Sequence, residues 1–192
     1  MARKLDRLLV IDVEATCWDG PPPTGQEPEI IEIGICAVDI RTGERVDRQS
    51  ILVQPEHSHV SPFCTKLTTL TQRQVNDGVS FERACTILQR KFKSRQRIWA
   101  SYGDYDRCQF QKQCHERGID YPFSGSHINV KSMLALVRAL PYEIGLLKAL
   151  DLLDLPVEGV HHRGVDDAWN TGLILSKLLL QRRVMLAEPL QE

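Results

Sequence analysis

Leu8-Leu9-Val10-Ile11-Asp12-Val13-Glu14-Ala15-Thr16 is an apolar run that ends in two carboxylates spaced two residues apart. Its branched residues predict a strand, and the period of two of a strand puts Asp12 and Glu14 on one face of a sheet. Paired carboxylates are costly to bury without a counter-charge, and a divalent cation relieves both at once. The plainer alternative is that one acid closes the strand in a salt bridge while the other faces water.

Outward from this strand, residues 30–39, the turn Arg41-Thr42-Gly43-Glu44 and residues 45–53 read as strand, turn and returning strand, so the chain opens with three antiparallel strands. A loop through Pro55 and Pro62 follows, and Thr71 is placed to cap a short helix. Residues 81–93 then set Phe81, Ala84, Cys85, Leu88 and Phe92 at helical spacing. Residues 98–102 predict a fourth strand and 105–117 a helix closed by Gly118. A fifth strand is expected within 124–130, helices at 131–140 and 146–153, a loop over 155–165 and a last helix from 166 to about 182. The sum is an α/β fold, a mixed five-stranded sheet flanked by helices.

With 192 residues, 42% apolar and 26% charged, the chain is expected to form one domain over 1–192, its core spanning about 7–182. The apolar run at 8–11 meets Asp12 too soon for a signal peptide or membrane span. The six cysteines include no Cys-x-x-Cys pair, which argues against structural zinc and a secreted disulfide framework and points to a reducing cytoplasm. A net charge of −1 offers no global attraction to polyanions, so any nucleic-acid contact has to be local. The basic run Arg90-Lys91-Phe92-Lys93-Ser94-Arg95-Gln96-Arg97 either complements a helix C-terminus or steers phosphates; the first reading is the simpler.

Two further clusters share the ambiguity of the first. In Ser101-Tyr102-Gly103-Asp104-Tyr105-Asp106, one acid can cap the following helix and the other can sit in its first turn. In His161-His162-Arg163-Gly164-Val165-Asp166-Asp167-Ala168, Asp166 can cap the final helix, with Asp167 and an imidazole left at the surface. Taken together, however, several acids and an imidazole at the edges of different elements are the inventory of a two-metal phosphodiesterase. Magnesium takes oxygen ligands and keeps waters, ions roughly 3.5–4 Å apart serve both the attacking and the departing oxygen, and a histidine suits proton removal near neutral pH.

At these residues the chain resembles the DEDDh exonucleases of the DnaQ-like superfamily, the group of RNase T and the DNA polymerase III epsilon subunit. Within it the likeness is to the Eri-type exonucleases that trim histone mRNA, ribosomal RNA and small RNA 3′ ends. It is carried by Ile11-Asp12-Val13-Glu14-Ala15-Thr16-Cys17, Glu29-Ile30-Ile31-Glu32, Val53-Gln54-Pro55-Glu56, Pro62-Phe63-Cys64-Thr65-Lys66-Leu67-Thr68, Gly103-Asp104-Tyr105-Asp106 and His162-Arg163-Gly164-Val165-Asp166-Asp167. These motifs run in order from about residue 8 to the last helix. The family pattern places Gly two residues after the His and a paired Asp at the end, which selects His162 with Asp167 over His161 with Asp166. In the middle motif it selects Asp106, with Asp104 as runner-up.

The resemblance implies an RNase H-like sheet and two Mg2+ ions, for which Mn2+ substitutes, held by Asp12, Glu14, Asp106 and Asp167, with His162 as general base. It implies a 3′-terminal nucleotide lying along Ala15 and Thr16, near Phe63, Leu67 and Thr68. The expected activity is 3′→5′ hydrolysis of single-stranded nucleic acid, RNA favoured, from a free 3′-OH, releasing nucleoside 5′-monophosphates. DNA 3′-end trimming or proofreading is the runner-up. An inactive nucleic-acid-binding scaffold is the competitor from another class, and the intact set of five catalytic positions counts against it. The chain departs from familiar relatives in the Pro-rich loop Trp18-Asp19-Gly20-Pro21-Pro22-Pro23 and in showing no added RNA-binding domain.

Overall fold

The computed structural model describes residues 4–187, with side chains to residue 180. The elements follow in the order β1 (Lys4–Ala15), β2 (Ile30–Asp39), β3 (Arg45–Leu52), α1 (Pro62–Thr68), α2 (Gln72–Asn76), α3 (Phe81–Lys91), β4 (Arg97–Ser101), α4 (Tyr105–Glu116), β5 (His127–Asn129), α5 (Val130–Val137), α6 (Leu146–Leu152) and α7 (Gly164–Ala187). The five strands lie in the order β3-β2-β1-β4-β5. β1 and β2, and β2 and β3, pair antiparallel, while β4 pairs parallel with β1 and β5 pairs parallel with β4. This is the mixed, RNase H-like α/β sheet expected.

β1 is central, and its two faces bury different partners. Leu9, Ile11 and Val13 join Ile33, Ile35, Phe81, Leu88, Trp99 and Phe110 under α3 and α4. Leu8 and Val10 join Cys36, Val38, Leu134, Leu150 and Ile174 under α5, α6 and α7. Burial on both faces explains why the strand reads as an unbroken apolar run. The same alternation sends Asp12 and Glu14, in phase with Leu8 and Val10, toward the layer that contains α7.

The hairpin turn forms because the Asp39 carboxylate accepts the N–H groups of Arg41 and Thr42 and Gly43 supplies a φ of 78°. Thr71 caps α2 in a full capping box with Gln74. Phe81, Ala84, Cys85, Leu88 and Phe92 are all buried, as their spacing predicts.

Three boundaries differ from expectation. Pro62 opens the helix α1 instead of continuing a loop: Ser61 accepts from the Cys64 N–H, and proline sits in the first turn, where its missing N–H is no loss. One short helix offers too few turns for periodicity to reveal it. The fifth strand shrinks to three residues. The last helix begins at Gly164, two residues before Asp166, so Asp166 does not cap it.

The basic run is used structurally. Arg90 and Lys91 close α3, Arg95 pairs with Asp120 and Arg97 with Asp6. None of the described helices is long and apolar enough to cross a membrane.

Candidate active site

One cleft is lined by Asp12, Val13, Glu14, Tyr102, Tyr105, Asp106, Leu146, His161, His162 and Asp167. Four separate segments meet there. The end of β1 brings Asp12 and Glu14, the first turn of α4 brings Asp106, the first turn of α7 brings Asp167, and the loop before α7 brings the two histidines. One carboxylate oxygen each from Asp12, Glu14 and Asp167 lie within 4.8 Å of one another. Asp106 stands beside this group, its Oδ1 accepting the Val13 N–H at 2.8 Å, which docks the start of α4 onto β1.

Asp167 is held from two directions. His161 Nδ1 lies 3.0 Å from both carboxylate oxygens, and the His162 N–H donates to Oδ2 at 2.8 Å. His162 itself takes a left-handed φ of 66°, an uncommon conformation for a residue with a Cβ. Its ring stacks on His161 at 4.0 Å and makes no hydrogen bond among the described residues.

Electrostatics set this cluster apart. Burial, reinforced by repulsion from Asp106, Asp167 and Glu14, raises the Asp12 carboxyl well above its usual range. Burial and then Asp167 push Glu14 up to about 8. Burial pushes Asp106 up to about 6 although the Val13 N–H pulls it back. Burial, and then His161, lower the His162 imidazole, which favours its neutral form. Crowded oxygen donors that hold protons for want of a counter-charge fit a hard divalent cation.

Behind the cleft lies an ion pair with a buried acid, for which the sequence suggested no role. Glu32 on β2 is fully buried and accepts from the Gly164 N–H at 2.9 Å and from Arg163 Nε and Nη2 at 3.1 Å each. The first turn of α7 is thereby fastened to the sheet. Gly34, two residues on, permits this approach, since a Cβ there would overlap the Gly164 carbonyl. A glutamate inside an otherwise apolar strand was the available signal.

The runner-up acid Asp104 stays outside the cluster. It is exposed, caps nothing with its side chain, and pairs with Arg107 at 2.8 Å and Asn129 Nδ2 at 3.0 Å. Of the expected substrate contacts, Phe63 is 38% exposed and Leu67 half-buried, one turn apart on α1. Ala15 is buried. The two threonine hydroxyls are engaged within the protein. The buried Thr16 hydroxyl donates to the Glu27 carbonyl and accepts the Glu29 N–H, and the buried Thr68 hydroxyl donates to the Cys64 carbonyl and accepts the Leu70 N–H. Both hydroxyls thus tie down their own loops. Tyr102, Tyr105, Leu146 and His161 line the cleft without having been singled out as contacts. Tyr105, directly before Asp106, is 56% exposed.

Comparison with known proteins gives the same picture. The RNase T family profile, described as an exonuclease, matches residues 9–175. The 3′-5′ exonuclease Snipper of Drosophila melanogaster is 26% identical over 90% of this chain and 69% of its own length. The ERI1 exoribonuclease 2 of Mus musculus is 30% identical over 90% of this chain but only 28% of its own length, so the chain spans little more than a quarter of that relative. Among solved structures, the nuclease domain of 3′hExo, a DEDDh family member bound to rAMP, superposes with a TM-score of 0.82 at 26% identity, covering 94% of this chain and 95% of that one.

Proposed function

The chain belongs to the RNase T exonuclease family, and on that premise we propose that it is a 3′→5′ exonuclease of single-stranded nucleic acid, with RNA preferred. The convergence of Asp12, Glu14 and Asp167 within 4.8 Å, with two imidazoles in the same cleft, is the observation that carries this reading. Exonucleases of this family depend on divalent metal. Two Mg2+ ions, for which Mn2+ substitutes, would be held by Asp12, Glu14, Asp106 and Asp167. When bound, such a pair supplies charge stabilisation at the attacking and departing oxygens.

The remaining work falls to the chain itself. The His162 ring, shifted toward its neutral form by burial and making no hydrogen bond among the described residues, takes the proton of the attacking water. His161 and the His162 N–H keep Asp167 turned into the cleft. Phe63, Leu67 and the exposed ring of Tyr105 offer apolar surface against which a terminal base can pack regardless of its identity. The products are nucleoside 5′-monophosphates. The preference for RNA is supported by relatives named as exoribonucleases. Six cysteines present as thiols support a reducing compartment such as the cytoplasm, and one domain is proposed to carry the whole site.

Incubation of 5′-labelled linear and circular RNA, and of linear DNA, with magnesium, manganese or chelator tests the proposal. A ladder shortening from the 3′ end, abolished by chelator and absent with circular RNA, is expected. A 3′-phosphate should slow it. Equal degradation of circular and linear RNA would instead indicate an endonuclease.

A further inference from the structure

We propose that His161, His162 and Asp167 form a second metal site, selective for a transition-metal cation of the zinc class, whose occupancy excludes the magnesium state of the same cleft. The binding claim stands on geometry alone, and the inhibitory consequence rests on the exonuclease reading above.

One donor atom from each of the three residues lies within 4.8 Å of the others. The His161 Nδ1 to Asp167 separation is already 3.0 Å. Zinc bonds of about 2.0–2.1 Å in a tetrahedron put neighbouring donors roughly 3.3–3.5 Å apart, so a small ring rotation completes the set. His162 can make that rotation because its ring is tied by no hydrogen bond among the described residues. The backbone beneath is fixed independently of the rings. The Val160 N–H donates to Asp166 at 2.8 Å, Arg163 is locked on Glu32, and the His162 N–H is locked on Asp167. All three residues line the cleft, where water can supply a fourth ligand.

Donor chemistry separates this site from the all-carboxylate group. Two imidazole nitrogens and one carboxylate suit Zn2+, Co2+ or Ni2+, whereas Mg2+ favours oxygen throughout. Asp167 belongs to both groups, and an ion bonded to His162 removes the lone pair that accepts the proton of water. Zinc in this position therefore takes away one carboxylate of the magnesium cage and the base together. Micromolar zinc is expected to slow cleavage in the presence of millimolar magnesium, since the Irving–Williams order favours the later metal at nitrogen donors.

Cobalt is the probe. Co2+ added to the magnesium-free full chain should give the intense visible bands of a four-coordinate ion, and Zn2+ should displace them. His161→Gln should weaken zinc binding by calorimetry at least tenfold, and His161→Asn should do the same, with thermal melting establishing that each variant is folded. In single-turnover cleavage of a short RNA, each variant, measured against its own zinc-free rate, should need at least tenfold more zinc for half-inhibition. Unchanged zinc affinity in both folded variants, or loss of zinc binding in Glu14→Gln but not in His161→Gln, would put the ion among the carboxylates and overturn the site. Zinc bound through His161 without any slowing of RNA cleavage would overturn the inhibition alone. Absence of nuclease activity at every metal concentration would strike the exonuclease reading and leave the cobalt spectrum to decide the site.

Discussion

The two walls of the cleft are built on opposite principles. Asp12 and Glu14 sit on the central strand, hydrogen-bonded to neighbours on both sides, and their direction follows from strand period. His161, His162 and Asp167 sit on a loop and a helix start, held by contacts that reach across more than a hundred residues, from Glu32 to Arg163 and Gly164. A strand-borne donor is placed by the backbone; a loop-borne one is placed by whatever anchors the loop. The first wall should therefore fail only when its own side chains change, and the second also when a remote anchor does.

The largest expected effect is on the strand wall. Asp12→Ala should abolish turnover and weaken divalent-metal binding while leaving the fold intact, because relief of crowded buried carboxylates stabilises the metal-free protein. Single-turnover cleavage and metal calorimetry measure this, and unchanged metal binding would remove Asp12 from the cage.

On the loop wall, His162→Ala should lower kcat by ~10²–10⁴-fold with metal binding retained. His161→Ala should cost less, through a looser Asp167. The wild-type rate at saturating magnesium should rise with pH and flatten, with its midpoint below 6.5, since burial lowers the His162 pKa and only the neutral ring accepts a proton. A larger loss in His161→Ala than in His162→Ala would reverse the two roles and make His161 the base.

The remote anchor sharpens the contrast. Glu32→Gln leaves every ligand in place, although Glu32 pairs with Glu14 across β1 and β2 and its charge bears on Asp12 and Glu14. It takes from Arg163 its buried partner, and should cost ~10–100-fold in metal affinity or activity, a typical loss for groups that orient metal ligands. An activity equal to wild type in a variant that melts at a lower temperature would mean that Glu32 serves stability alone.

The smallest effect is on stability and involves the strand wall together with the first turn of α4. Glu14, raised to about 8, and Asp106, raised to about 6, bind protons more tightly in the folded than in the unfolded chain. Their contribution is complete below pH ~4 and is lost as pH rises toward 8. The metal-free protein should lose on the order of a few kcal/mol across that window, and stabilisation by added Mg2+ or Mn2+ should grow over the same range. Thermal melting with and without metal checks both. A melting temperature that rises with pH in the absence of metal would contradict the crowding of these carboxylates.

Much of the site could be read locally. Asp12 and Glu14 followed from alternation, and Thr71 from the capping preference of its side chain. The choice of His162 over His161, and of Asp106 over Asp104, came from likeness to a family and not from any local rule. The hydroxyl partners of Thr16 and Thr68 were not legible in the sequence, because a hydroxyl near a cleft looks available until its hydrogen-bond partners are known, and all four partners are backbone groups.

From the sequence alone, then, came the sheet, the strand-borne carboxylates and the family, because strand period, caps and ordered motifs are properties of near neighbours along the chain. Tertiary structure decided how Glu32 and Gly34 seat the first turn of α7, that Asp104 turns away to Arg107 and Asn129, and that His161 holds Asp167 while the His162 ring stays free. Those outcomes depend on which distant groups meet when two core layers close over one strand, and side-chain hydrogen bonds between residues far apart in the chain leave no periodic trace in it.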